Sequence, residues 1–185
     1  MIWLNSKILS RNQNKRRMIK LPFYIPDYEF TLRLSKLLLL FETLSVGSKR
    51  WMNLENVSQF EYLVKHPILL NKILNEKDKK IFSLQNSEMY SIEALFHNRA
   101  DLFDYNKIKA LLKVLIANGF IETKIEKYQS FFAITDLGLE TSTQLKEVYF
   151  ERIRKIFKEM KPLVGIPNTK IVFLIEAHLS DGIKN

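Results

Sequence analysis

Between Tyr90 and Gly138 the hydrophobic period switches from helical to strand-like and back, and this constrains the fold more than any other stretch. A short amphipathic segment (Tyr90, Ile92, Leu95, Phe96) leads into a polar turn, Asn98-Arg99-Ala100-Asp101. From Tyr105 to Asn118 the apolar residues Tyr105, Ile108, Leu111, Leu112, Leu115 and Ile116 recur at i, i+3 and i+4, and Asp104 is placed to cap that helix. Gly119 stops it. Phe120-Ile121 begins a strand, Glu126-Lys127-Tyr128-Gln129 makes the turn, and Phe131 to Ile134 returns, before Ile134-Thr135-Asp136-Leu137-Gly138 closes the unit. Helix, turn, helix and hairpin in that order spell a winged helix-turn-helix. Such a module either grips nucleic acid or docks subunits, and the pattern does not choose between them.

The rest of the chain is expected to be helical. Pro22 and Pro26 keep residues 21–26 extended. Asp27 is a good cap for a helix from Tyr28 to about Ser45, central because it is leucine-rich on more than one side. A second helix fits Leu54 to Lys65, and Pro67 then restarts the chain, with a further turn or two over Ile68 to Leu74. The charged run Asn75-Glu76-Lys77-Asp78-Lys79-Lys80 reads as a solvated loop. Thr135 or Asp136 can cap a long final helix carrying Leu145, Val148, Tyr149, Ile153, Ile156, Phe157 and Met160, with Lys146, Arg152, Arg154, Lys155, Lys158 and Lys161 on its other face. After Pro167, Asn168 or Thr169 suits a helix cap, although Ile171 to Ile175 would also suit a strand. The expected class is mainly α with a small β wing. Its parts are a basic extension (1–20), a helical half that is a degenerate winged helix in an alternative reading (21–75), a linker (76–89), a winged helix (90–140) and a C-terminal helical region (141–185).

A net charge of +9 invites a nucleic-acid reading that its distribution weakens. Residues 1–20 hold six basic and no acidic residues, and without them 23 basic face 20 acidic residues, a net +3. The extension reads as a basic arm toward phosphates, or as sequence upstream of a natural start at Met18. It is a poor secretory signal, because its charges follow the apolar residues. Cysteine is absent, which excludes disulfides and thiolate metal sites and suits a reducing, cytoplasmic setting. The longest apolar run, Leu37 to Phe41, is far too short to cross a bilayer, so no membrane role is expected.

Catalytic chemistry is not legible. The five glycines are isolated, and none opens a phosphate-binding loop. His66, His97 and His178 lack the spacing of a zinc site, and no nucleophile–base arrangement stands out. We therefore expect no enzyme activity, cofactor or metal. The candidates are surfaces. In a DNA-reading winged helix the second helix would present Asn106, Lys107, Lys109 and Lys113, and the wing Lys124 and Lys127. The stripe contains no arginine, so any duplex contact would be to backbone rather than bases. A solvated helix face accounts for the same lysines. The 13 Phe, seven Tyr and two Trp exceed what one small core obviously needs, and Trp51, Phe60 and Tyr62 are candidates for a partner-binding patch.

Leu21-Pro22, a leucine-rich first helix, the block Phe60-Glu61-Tyr62-Leu63-Val64-Lys65-His66-Pro67, a polar linker and the ending Ile134-Thr135-Asp136-Leu137-Gly138 follow in an order that resembles a known family. Over residues 18–180 the chain is similar to the middle subunits of bacterial three-component ABC systems, including the Lamassu-type defence complexes, whose winged-helix (kite-type) subunits accompany SMC ATPases. The resemblance implies partnership with an SMC-like coiled-coil ATPase and an effector, often a nuclease, in an anti-plasmid or anti-phage complex. This subunit would bridge the two, and any contact with double-stranded DNA would be to the DNA backbone. The rival reading is a MarR-like homodimeric transcription regulator, since the Thr-x-x-Gly ending is shared with such proteins. A third is an enzyme with converging carboxylates.

Overall fold

A computed structural model describes residues 30–45, 51–78, 82–89 and 98–181. In chain order the elements are α1 (Phe30–Leu44), β1 (Met52–Asn53), α2 (Leu54–Lys65), α3 (Pro67–Asp78), α4 (Asn86–Met89), α5 (Arg99–Leu102), α6 (Tyr105–Ala117), β2 (Ile121–Glu126), β3 (Gln129–Ile134), α7 (Asp136–Ser142), α8 (Val148–Glu159), a 3-10 turn (Lys161–Leu163) and α9 (Asn168–Asp181). The described chain is mainly helical with one small antiparallel sheet, strand order β1-β3-β2. The expected first helix of the helix-turn-helix, the Asp27 cap and the basic extension lie outside the described residues, as do Leu21-Pro22 and His97.

Helix α1 is the axle. Leu37, Leu38, Leu39, Leu40, Phe41 and Leu44 are all buried, which one amphipathic stripe cannot achieve. It happens because α6, α7, α8 and β3 all pack around α1. Helix α2 is likewise covered, by α6, α8 and α9. Its start is fixed by Asn53, whose Oδ1 accepts the Asn56 N–H at 2.8 Å, and its end by His66. Pro67 then sits at the first position of α3, where its missing N–H costs nothing. That helix runs on to Asp78, so the charged run expected as loop begins inside a helix.

The hairpin is in register from Ile121↔Ile134 to Glu126↔Gln129, and the two residues of β1 pair with β3 as Met52↔Phe132 and Asn53↔Phe131. Phe120 belongs to the turn, not to a strand. It follows Gly119, whose φ of +72° a side chain would resist. Thr135 locks the joint between hairpin and α7. Its hydroxyl donates to the Gly119 carbonyl at 2.6 Å and accepts the Gly138 N–H at 3.0 Å. A Cβ on Gly138 would stand 2.0 Å from the Phe120 carbonyl oxygen. The Thr-x-x-Gly ending is thus a cap plus a close backbone approach.

The long final helix expected from Thr135 onward is broken. It stops at Ser142 and restarts at Val148. Arg154, 8% exposed, holds the break: Nη2 donates to the Ser142 carbonyl at 2.5 Å, Nη1 to the Leu145 carbonyl at 2.6 Å, and Nε to Glu42 of α1 at 2.9 Å. Carbonyls that a continuous helix would have used internally are taken up by one guanidinium. The segment from Pro167 is helical. Asn168 ties its start to α2, donating to Asn53 Oδ1 at 3.2 Å and Glu55 Oε2 at 2.8 Å and accepting from Asn56.

Candidate interaction surfaces

The expected reading stripe is half available. Asn106, Lys109 and Lys113 are exposed on α6, while Ile108, Leu111, Leu112 and Leu115 point inward. Lys107 is committed within the fold. Its Nζ lies 2.7 Å from Asp104 and 3.8 Å from Asp101. Hydrogen bonding to Lys107 holds the Asp104 carboxyl below the usual carboxylate range, and the same bond holds the Lys107 ammonium above its ordinary value. Both groups also anchor the N-terminal turn of α6, where Asp104 Oδ1 accepts the Lys107 N–H. A phosphate arriving there would have to displace a carboxylate.

On the hairpin, alternation sends Glu122, Lys124 and Glu126 to one face with Phe131 and Gln129, and Thr123 and Ile125 to the other. Lys124 is also occupied. Its Nζ meets Glu126 at 2.7 Å and sits 4.6 Å from the centre of the Trp51 ring and 5.9 Å from that of Phe131. Trp51, half-buried at the foot of β1, therefore packs against the wing. Lys127 is exposed at the turn. The structure thus brings Lys124 and Trp51 together, keeps Lys109, Lys113 and Lys127 free of ion pairs among the described residues, and leaves α6 and the wing as two separate presentations.

Phe60 and Tyr62 are not on any surface. Both are 0% exposed, because α2 is covered on several sides, and the expectation that they belong to a partner-binding patch is corrected accordingly. The Tyr62 ring lies 4.3 Å from that of His66. Its hydroxyl has no hydrogen-bond partner among the described residues, and burial, with the charge of Asp101 adding, pushes its pKa up to about 12. His66 is a buried helix end, and His178 lies 3.3 Å from Glu76.

Two features escaped the sequence reading. Arg152 is a clasp: its Nε and Nη2 each lie 2.6 Å from a Glu88 oxygen, and Nη2 donates to the Ser83 carbonyl at 2.7 Å. The other is the wing tip, where Ile125 and Tyr128 are exposed. A two-residue hairpin turn containing neither glycine nor asparagine was the available signal for it. Among the described residues no group of three His, Asp or Glu side chains converges as for a metal ion. No helix among them is long and apolar enough to cross a membrane.

The family model described as ABC-three component (ABC-3C) system Middle Component 4 matches residues 44–172, more than half of the chain. No curated protein and no solved structure matches it.

Proposed function

Because the chain belongs to the ABC-three component (ABC-3C) system Middle Component 4 family, we propose that it is a non-catalytic, cytoplasmic subunit. It bridges an SMC-like coiled-coil ATPase and an effector nuclease in a complex that acts against plasmids or phage. The observation that carries this reading is the family match, which spans α2 through the start of α9 and so covers the whole hairpin. A three-component system requires partners, and this subunit offers surfaces for them.

A winged helix placed differently from the one expected over residues 90–140, whose first helix lies outside the described residues, draws support from topology. The order α1, β1, α2, α6, β2, β3 with sheet order β1-β3-β2, and α2 packed against α6, is the sequence of parts such a module needs. On that reading α2 and α6 are the paired helices, and residues 66–104 are an insertion between them. Duplex DNA would meet Asn106, Lys109, Lys113 and Lys127 through phosphates, with Lys107 and Lys124 contributing little because carboxylates already hold them.

The test is affinity capture of the tagged chain from its native host, with nuclease treatment and mass spectrometry. Stoichiometric recovery of a coiled-coil ATPase together with an effector supports the subunit. Recovery of a homodimer alone that shifts one specific DNA fragment supports the MarR-like regulator instead.

A further inference from the structure

Helix α8 sorts its cations by type. Its arginines are spent inside the fold, Arg152 on Glu88 and Arg154 on Glu42 and Glu151. Its lysines face outward. Ile153, Ile156 and Phe157 fill the buried side, while Lys155 and Lys158 are exposed, and Lys161 follows, exposed, in the 3-10 turn. Residues three apart along a helix are neighbours, with about 5–6 Å between Cβ atoms, so the lysines stand in one row. None of the three makes an ion pair among the described residues.

This row holds the charge excess of the body. Residues 155–170 carry four lysines, Lys170 among them, against Glu159 alone, a net +3. The remainder of residues 21–185 has 19 basic and 19 acidic residues. The lysines of α6 and the wing instead share their segments with Asp101, Asp104, Glu122 and Glu126.

What surrounds the row selects its occupant. No large apolar side chain is exposed between residues 150 and 172. Nothing there can insert into a membrane surface, stack on unpaired bases or anchor a protein partner, whose interfaces are poor in lysine and rich in aromatic residues. A row of unpaired ammonium groups with nothing apolar beside it is the chemistry that a phosphate backbone attracts.

We infer that Lys155, Lys158 and Lys161 form a row that grips the phosphate backbone of a nucleic-acid duplex without reading its sequence. That the duplex is DNA rests on the subunit reading above, and the row gives that subunit a duplex contact on a helix other than α6.

The experiment titrates full-length chains with two short DNA duplexes of unrelated sequence over a range of salt. Wild type is compared with Lys155→Gln/Lys158→Gln/Lys161→Gln and with a charge-matched control, Lys109→Gln/Lys113→Gln/Lys127→Gln. The α8 triple is expected to bind both duplexes about 10- to 100-fold more weakly near physiological salt, and its log affinity should fall less steeply with log salt, by about 2–3 in slope. It should melt like wild type, the control should lose clearly less affinity, and Lys155→Arg/Lys158→Arg/Lys161→Arg should bind as wild type does. Equal losses in the two glutamine triples would mean that binding follows net charge alone, and overturn the row. A loss confined to the control, or an arginine triple no better than the glutamine one, overturns it too, as does capture by phosphatidylserine vesicles in place of the duplex. Co-purification of other components from the native host, run in parallel, judges the subunit reading separately. Components recovered by a wild-type chain that binds no duplex sink the row alone. Duplex binding lost in the α8 triple upholds the row even where no component is recovered.

Discussion

The aromatic block of α2 and the tip of the wing both carry aromatic side chains, and these end in opposite places. Phe60 and Tyr62 are wholly enclosed, while Tyr128 is wholly exposed. Residue type does not distinguish them. What does is whether their elements are covered: α2 lies against α6, α8 and α9, whereas the hairpin is covered near Ile121 and Ile134 and bare from Ile125 to Ser130. An aromatic side chain is a partner-binding candidate only where its element runs out of partners within its own chain.

The sharpest way to break that contrast is Phe60→Ala. Deleting a fully enclosed ring should cost about 3–5 kcal/mol, read by urea denaturation. Tyr128→Ala should leave stability within about 0.5 kcal/mol of wild type or raise it. A Phe60→Ala protein of normal stability that loses only its partners would return α2 to the list of interfaces.

Arg154 comes next, because it supports the break between α7 and α8. Arg154→Ala removes this donor from the Leu145 carbonyl and the Glu42 carboxylate, and leaves the Ser142 carbonyl with the Leu145 N–H. Since Glu42 retains some solvent, the loss should be about 2–4 kcal/mol, toward or below the low end for buried pairs. Lys155→Ala, at the next position but exposed, should be close to neutral. Equal losses from the two would mean that the arginine network does not hold the break.

Much of this was legible. The bounds of α2, the Asp104 cap, the Gly119 stop and the four-residue hairpin turn follow from local chemistry, and the structure places them as expected. The split of the last long helix was not legible. Its cause is Arg154 reaching Glu42, a contact between residues 112 positions apart. The availability of lysines was hidden for a related reason. Lys107 and Lys109 look alike on a helical wheel, but only Lys107 lies beside Asp101 and Asp104. Burial of Phe60 and Tyr62 required knowing that α9, from the far end of the chain, folds back onto α2.

Tyr62 offers a smaller effect of opposite sign. Its buried hydroxyl lacks a partner among the described residues, so Tyr62→Phe removes an unsatisfied group and should stabilise the protein by about 1 kcal/mol. The alkaline limb should change too. With the folded pKa raised to about 12 above an ordinary value near 10, the phenol's contribution is whole below about pH 10 and is lost as pH climbs toward 12. Tyr62→Phe should therefore flatten the fall in stability across that window. A fall unchanged in Tyr62→Phe would assign it to other groups.

The smallest expected effect tests whether the clasp at α4 behaves as part of the body or as a fringe like the wing. Burial opposes ionisation of Glu88, but hydrogen bonds from Arg152 and from the Gln85 N–H, with the charge of Arg152, outweigh it and hold the carboxyl below its usual value. A carboxylate with a depressed folded pKa contributes stability above its unfolded value, near 4.5, and loses it as pH falls through the depressed one. Protection of the Phe82 and Glu88 amides from hydrogen exchange should thus decline below about pH 4.5, before the amides of α2 respond. Glu88→Gln should show the weakened protection already at neutral pH and little further change on acidification. Loss of protection across α2 and residues 82–89 together would make the clasp integral to the core, and would leave the wing as the one element of the described chain that stands apart from it.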